Sequence, residues 1–312
     1  MTESLAIPAT ERATGTIYDL GYQHYTGERL GRGNAIRTLL AFSFKAAFGR
    51  GRGGKAQVIP GVILLLVYFP VIIQIAIASA TGRPEFLNYA QYLSFVTLLI
   101  ALFAAAQAPE VIVADRQYGV LSLYLSRSLS TYDYIAAKIG AFVAAMLVLT
   151  LGPQLLIFLG KILINEHPWQ AFTTDYKTLL PIVGGTFVVS CYVAFIALAL
   201  AAFSARRAFA TASVIGFFIL MPAVGNIANA IVSSDVKRYT PLASPFLVMT
   251  GLANWLFDVQ ANARVANQLG ARATARQLLK VGIPGEYYLY IVLGTSVVAL
   301  ILLILRYRRT EV

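Results

Sequence analysis

Charge is what this chain has least of. Only 12% of its 312 residues are Asp, Glu, Lys or Arg, about half the ~25% of an ordinary soluble domain. With 58% hydrophobic residues, such a chain reads as an integral membrane protein. Cysteine is almost absent as well. The single Cys191 lies in an apolar run, which excludes an intrachain disulfide and leaves the thiol as a small core residue. Of the two histidines, His167 has no Cys or second His nearby, so it reads as a loop residue and no metal site is expected. The apolar regions hold no paired carboxylates, no His cluster and no Ser/His/Asp set, so no catalytic site is expected. Residues 1–57 carry charges and no apolar h-region, so no cleavable signal peptide is expected. Acidic side chains are the scarcer sign, 14 against 25 Lys and Arg. Beside membrane segments that excess reads as orientation against an anionic leaflet, not as nucleic-acid binding.

What is present is apolar length. Residues 1–35 are a Tyr- and Gly-rich tail on the cytoplasmic side, and 36–312 form one membrane domain. Within 36–48 the residues Ile36, Leu39, Leu40, Ser43, Phe44, Ala47 and Phe48 suit a helix lying in the headgroup region, with Arg37 and Lys45 reaching outward. The run Gly49-Arg50-Gly51-Arg52-Gly53-Gly54-Lys55 matches the spacing of a phosphate loop. However, Ala56 replaces the magnesium-holding Ser or Thr, no strand precedes it, and a membrane span follows. It reads as a flexible basic hinge at the leaflet surface. Six spans are predicted at 58–80, 86–108, 135–164, 179–203, 208–232 and 287–305, each long enough for ~30 Å of hydrocarbon. Gly152-Pro153 marks a kink in the third, and Lys161 is placed to snorkel at its far end. The segment 233–285 is too long for a simple connection, and its part from 254 to 279 is read as an external helix.

Six spans put both termini on one side. Lys and Arg near the span ends on that side are Arg37, Lys45, Arg50, Arg52, Lys55, Arg116, Arg127, Lys138, Arg206, Arg207, Arg306, Arg308 and Arg309. The short opposite loops hold only Arg83, Lys161 and Lys177. Both termini are therefore expected to be cytoplasmic, and the long loop external.

The stretch from Ala114 to Arg127 joins the second and third spans. It is too polar to span a bilayer and too apolar to be a free loop. Tyr118, Leu121 and Leu125 recur at helical spacing, so a short amphipathic helix can present one apolar face while Arg116 and Arg127 stay wet. Ser130 as N-cap and Asp133 three positions on match a capping box that would start the third span's helix. The alternative reading of this stretch is a plain interfacial anchor.

The sequence Asp115-Arg116-Gln117-Tyr118-Gly119-Val120-Leu121, followed by Leu125-Ser126, Ser130, Tyr134 and Lys138, resembles the first cytoplasmic loop of the type-2 family of ABC transporter permeases. The likeness covers residues 36 to 309, with Asp115 where that family usually has Glu and Ser128 where it often has Pro. The resemblance implies an all-α membrane protein with six transmembrane helices and an N-terminal interfacial elbow helix. It also implies a cytoplasmic coupling helix, with an external helical segment before the sixth span. Asp115, Arg116, Tyr118, Gly119, Leu121, Leu125 and Arg127 would couple to a separate ATPase. The implied partners are two copies of that ABC ATPase subunit and a second permease, identical or related. ATP and magnesium would be bound by the ATPase, and none by this chain. The implied activity is ATP-driven export across the cell's inner (plasma) membrane. The alternatives are a secondary carrier, or a tether that holds a cytoplasmic partner without transporting.

The spans carry almost no full charge, which argues against a proton- or sodium-driven carrier. Gln74, Gln154, Asn226 and Asn229 lie among Tyr and Phe. They suit either a weakly polar path for an amphiphilic or apolar substrate, or hydrogen bonds between helices. Pro222 and Gly225 are expected to bend or break the fifth span in its outer half, turning Asn226 and Asn229 inward. Gln74, Pro222, Asn226 and Asn229 are the candidate substrate path, with an external helix around Trp255 as its gate.

Overall fold

An apolar helix in hydrocarbon satisfies its own backbone, so what distinguishes one span from another is which face it buries against its neighbours. The structure, a computed structural model, describes residues 30–82, 89–120, 124, 129–231, 239–257 and 283–308. The described elements are helices: α1 (Arg32–Ala47), α2 (Gly54–Thr81), α3 (Tyr89–Gln117), α4 (Thr131–Ile164), α5 (Pro168–Asp175), α6 (Leu179–Phe203), α7 (Arg207–Ile231), α8 (Pro245–Leu256) and α9 (Gly285–Arg308), with short 3₁₀ turns at Tyr176–Thr178 and Thr240–Ala243. Six candidate spans are long and apolar enough to cross a membrane, the fourth running continuously from α5 into α6. The chain is a multi-pass, all-helical membrane protein. It divides between Leu30 and Gly31, and every described helix belongs to the second unit.

Three spans form the centre and three the rim. In the most apolar stretch of α3, of the α5–α6 span and of α4, 72%, 67% and 56% of residues are buried, against 22%, 22% and 28% in α2, α7 and α9. Small side chains explain the central place of α6. Ala194, Ala197, Ala199, Ala201 and Ala202 are all buried, and small residues let helix backbones approach closely. Polar contacts stitch this centre together. The Thr150 and Ser190 hydroxyls are 2.8 Å apart across α4 and α6, and Gln154 donates to the Tyr89 carbonyl of α3 at 3.0 Å. From the rim, Tyr68 of α2 donates to the Val148 carbonyl of α4 at 2.6 Å. Tyr92 of α3 donates to the Val67 carbonyl of α2 at 2.7 Å. In hydrocarbon such bonds contribute about 0.6 kcal/mol each.

Several boundaries differ from the sequence reading, each for a physical reason. The first helix begins at Arg32, four residues before Ile36, because the Arg32 guanidinium is bonded to Asp133 at the start of α4 (2.7 and 2.8 Å). The second span does not stop at 108. It continues to Gln117 through Pro109, Glu110, Asp115 and Arg116, since those charges meet partners on neighbouring helices. Ala114 to Gln117 are therefore the last turn of α3, not the start of a separate amphipathic piece. Pro153 and Pro222 lie within continuous helices, so of the bend or break expected in the fifth span the break does not occur. The capping box at Ser130 and Asp133 is present in both directions.

The helix expected at 254–279 falls mostly outside the described residues. Its first residues, Asn254 to Leu256, are the end of α8, which starts earlier, at Pro245. Ser244 caps α8 by accepting from the Leu247 amide at 3.4 Å, and Pro245 occupies the first turn. Its Val248, Met249, Leu252 and Ala253 are buried against α3 and α9. Gly251 is required at that crossing: a Cβ there would lie 2.4 Å from the Tyr288 ring of α9.

Candidate functional site

The last two turns of α3 converge with the ends of α4, α6, α7 and α9. Because this end also carries most of the described Arg and Lys side chains, it is referred to as the basic end. Helix propensity alone would not carry α3 past Pro109 into a charged stretch; partners for each charge do. Glu110 receives Arg52 from the glycine-rich hinge and Arg207 from α7, the latter at 2.9 Å. Asp115 is 8% exposed, and its Oδ2 lies 2.7 Å from the Lys138 ammonium of α4. Tyr134, one turn before Lys138, donates to the same oxygen at 2.8 Å. Arg116 donates to the Ser204 carbonyl at the end of α6. Gln117 donates to the Ala205 carbonyl at 3.4 Å and accepts from Arg207 at 2.9 Å.

An aromatic layer backs these ion pairs. The Tyr134 ring lies 5.7 Å from Tyr307 of α9 and 6.0 Å from Tyr124, and Lys138 sits 5.5 Å over the Tyr134 ring. Burial, followed by the negative charge of Asp115, pushes the Tyr124 phenol above its ordinary pKa. The phenol therefore stays neutral and can donate a hydrogen bond at any physiological pH.

α3 ends at Gly119. Its φ of +66° is the left-handed conformation that glycine adopts without a Cβ penalty. The Gly119 amide donates to the Arg116 carbonyl (3.2 Å) and the Val120 amide to the Asp115 carbonyl (3.0 Å), the paired bonds of a Schellman cap. Directly before it, Tyr118 is 72% exposed, with the Arg207 guanidinium 5.2 Å from its ring centroid. A large aromatic thus stands out from the bundle on a rigid base. The second root of the loop is equally fixed. Arg32 forms a fork on Asp133 and reaches Ser130 Oγ at 3.4 Å, so α1 braces the start of α4.

Of the residues singled out in this loop, Asp115, Arg116, Tyr118 and Gly119 are brought together, but in two kinds of place. Asp115 is buried and ion-paired and Arg116 is tied to α6, whereas Tyr118 and Gly119 are at the surface. Leu121, Leu125 and Arg127 lie outside the described residues. Sequence reasoning missed Glu110 as a clamp. The signal was available: it is the only acid between Glu85 and Asp115, and a lone acid near the end of an apolar run needs a partner.

Of the expected substrate path, Pro222, Asn226 and Asn229 share one helix at i, i+4 and i+7, and Gln74 lies on another. Gln74 is on α2, which packs on α3 and α4, whereas Pro222, Asn226 and Asn229 are on α7, which packs on α3 and α6. The Gln74 Oε1 and Asn229 Oδ1 atoms are buried and have no hydrogen-bond partner among the described residues. Asn226 is exposed, and its neighbour Gly225 is the buried residue of that turn, close to the Thr240 carbonyl. A different space is visible: an open, apolar groove of about 510 Å³ between α6, α7 and α9, lined among others by Leu200, Phe217, Tyr290, Gly294 and Leu302. Thr295 on its wall bonds its own helix at Ile291 (2.6 Å). No group of three or more His, Cys, Asp or Glu able to hold a metal occurs among the described residues. No family model matches the chain, and no curated protein matches it.

Proposed function

We propose that the chain is the permease subunit of an ATP-driven transporter of the ABC type-2 kind, exporting an amphiphilic or hydrophobic substrate. In this reading the basic end is cytoplasmic, α1 is the elbow helix, and the stretch from Asp115 to Arg127 is the coupling segment that a separate ATPase subunit grips. The working unit pairs two permeases with two ATPases in the plasma membrane.

The observation that carries the reading is the hub at the end of α3. Glu110, Asp115, Arg116 and Gln117 bond α7, α4 and the turn between α6 and α7, and the exposed Tyr118 follows directly. A push on Tyr118 would reach α4, α6 and α7 through bonds already formed, which is what a mechanical input needs. The fork of Arg32 on Asp133 supports a role for α1 in the same movement. The apolar groove between α6, α7 and α9 favours an apolar or amphiphilic cargo. A secondary carrier is less well supported. Among the described residues, Glu110, Asp115 and Asp133 all lie at helix ends in ion pairs, and no carboxylate stands at mid-depth in a span.

The test is to purify the full-length chain from its native membranes in mild detergent and assay ATP hydrolysis in the eluate. The reading expects ATPase activity to copurify with the wild type and to be lost with Tyr118→Glu at equal yield. An eluate without ATPase activity, or one unchanged by the substitution, sinks it.

A further inference from the structure

From Arg32 to Thr81 the chain contains six cations and no acid. Two of the six borrow partners from elsewhere: Arg32 pairs with Asp133, and Arg52 with Glu110. The other four, Arg37, Lys45, Arg50 and Lys55, are exposed and have no ion-pair partner among the described residues. They run along the outward side of α1, through the glycine-rich hinge, to the first turn of α2. Their charge is therefore uncompensated within the described part of the protein.

The depth of these cations follows from α2. Its outward face is an unbroken exposed apolar strip that includes Val58, Val62, Leu65, Phe69, Ile72 and Ile77. From Val58 to Ile77 an α-helix rises about 28 Å, close to the ~30 Å thickness of hydrocarbon. Lys55 stands less than one turn before Val58, about 4.5 Å beyond the apolar edge. That is the depth of lipid phosphates. Exposed Leu40 and Phe42 on α1 give the neighbouring helix apolar side chains to set into the same interface, as in-plane helices do.

We propose that α1, the hinge and the first turn of α2 form a binding surface for anionic phospholipid headgroups in the adjacent leaflet. Arg37, Lys45, Arg50 and Lys55 are its ligands. The membrane is the only partner of the right charge that this surface must meet, because the strip on α2 sets it at headgroup depth. Arg32 and Arg52, fixed by their carboxylates, hold the two ends of the surface in place. The site differs from the hub at the end of α3 and does not depend on which compartment the basic end faces.

The test uses the purified, delipidated full-length chain in neutral detergent, titrated with phosphatidylglycerol or phosphatidylcholine, with bound lipid counted by native mass spectrometry. Phosphatidylglycerol is expected to bind at least about tenfold more tightly than phosphatidylcholine. The combined substitution Arg37→Gln, Lys45→Gln, Arg50→Gln and Lys55→Gln should remove that preference, each surface cation contributing a several-fold factor. Arg206→Gln with Arg308→Gln, exposed cations at the same end, should leave it. If the fourfold variant fails to fold, the wild type still decides: its preference must fall steeply as salt rises from low to high ionic strength. A preference that survives the fourfold substitution or high salt overturns the proposal. So does displacement of the lipid by soluble glycerol phosphate, which would make the site one for free anions.

Discussion

Lys138 of α4 points its ammonium at Asp115 of α3, 2.7 Å away, and both side chains are nearly sealed from solvent. Tyr134 donates to the same carboxylate oxygen. Neither charge would be tolerated alone at that burial. Together they let α3 remain helical past the apolar stretch, so the loop that follows begins from a fixed point on the bundle.

Removing one member should therefore cost far more than removing both. Lys138→Met leaves Asp115 buried and unpaired and is expected to destabilise by about 3–5 kcal/mol. Adding Asp115→Asn removes the stranded charge while keeping an acceptor for Tyr134, and should recover at least half of the loss. Thermal unfolding of the purified variants in detergent checks this. Equal stability of the single and double variants would show that the pair does not hold the two helices.

Among the described residues nothing lies within 4 Å of the place a Gly119 Cβ would occupy, and its φ of +66° is what calls for glycine there. Gly119→Ala is expected to cost about 1 kcal/mol from backbone strain alone. Gly119→Asn should cost less, since Asn enters the left-handed region more readily. The same thermal assay ranks the three proteins. Because the cap sets the direction in which Tyr118 leaves α3, the proposed permease function also expects the Ala variant to lower transport per ATP hydrolysed in proteoliposomes.

Arg116 links the end of α3 to the Ser204 carbonyl. Arg116→Glu places a carboxylate against that carbonyl and should cut the link without opening the bundle, because the contact is at its edge. If the chain is the proposed permease, the expected result is ATP hydrolysis uncoupled from transport, with flux per ATP down about tenfold, at unchanged expression. Wild-type flux from this variant would remove Arg116 from the coupling path.

Orientation is checked by cysteine labelling in a Cys191→Ala background, which leaves no native thiol. Tyr118 and Trp169 are both highly exposed, at 72% and 75%, and they stand at opposite ends of α4. A membrane-impermeant maleimide is expected to label Trp169→Cys in intact cells and Tyr118→Cys only after permeabilisation, as the bias of positive charge dictates. The reverse pattern would invert the topology.

Much of the fold was legible because hydrocarbon imposes a simple rule on sequence. The fourth span was read at 179–203, and α6 is Leu179–Phe203. The capping box at Ser130 and Asp133 was read from two residues three apart, and it is present. These features depend on local composition alone. α8 was missed because its 12 residues are too few to span, although Ser244 followed by Pro245 and an apolar run is a helix start. The second span was cut short at 108 because charge normally ends a membrane segment. Here Asp115 has its partner 23 positions further along the chain and Glu110 has one 97 positions away.

The candidate site divides along the same line. Sequence drew attention to Asp115, Arg116, Tyr118 and Gly119 as one motif, but only the packing separates them into a buried anchor and an exposed tip. It placed Asn226 and Asn229 inside on the strength of Pro222, whereas α7 runs through that proline, leaves Asn226 on its exposed side and buries only the Asn229 Oδ1.

What the sequence determined by itself is set by short-range chemistry: apolar length, the charge bias across the spans, and the cap residues at helix starts. What only the tertiary structure decided is which helices are central, which carboxylate meets which cation, and which polar groups remain exposed. Those outcomes depend on contacts between residues far apart in the chain. The helical period fixes which residues share a face, but not which neighbour that face meets.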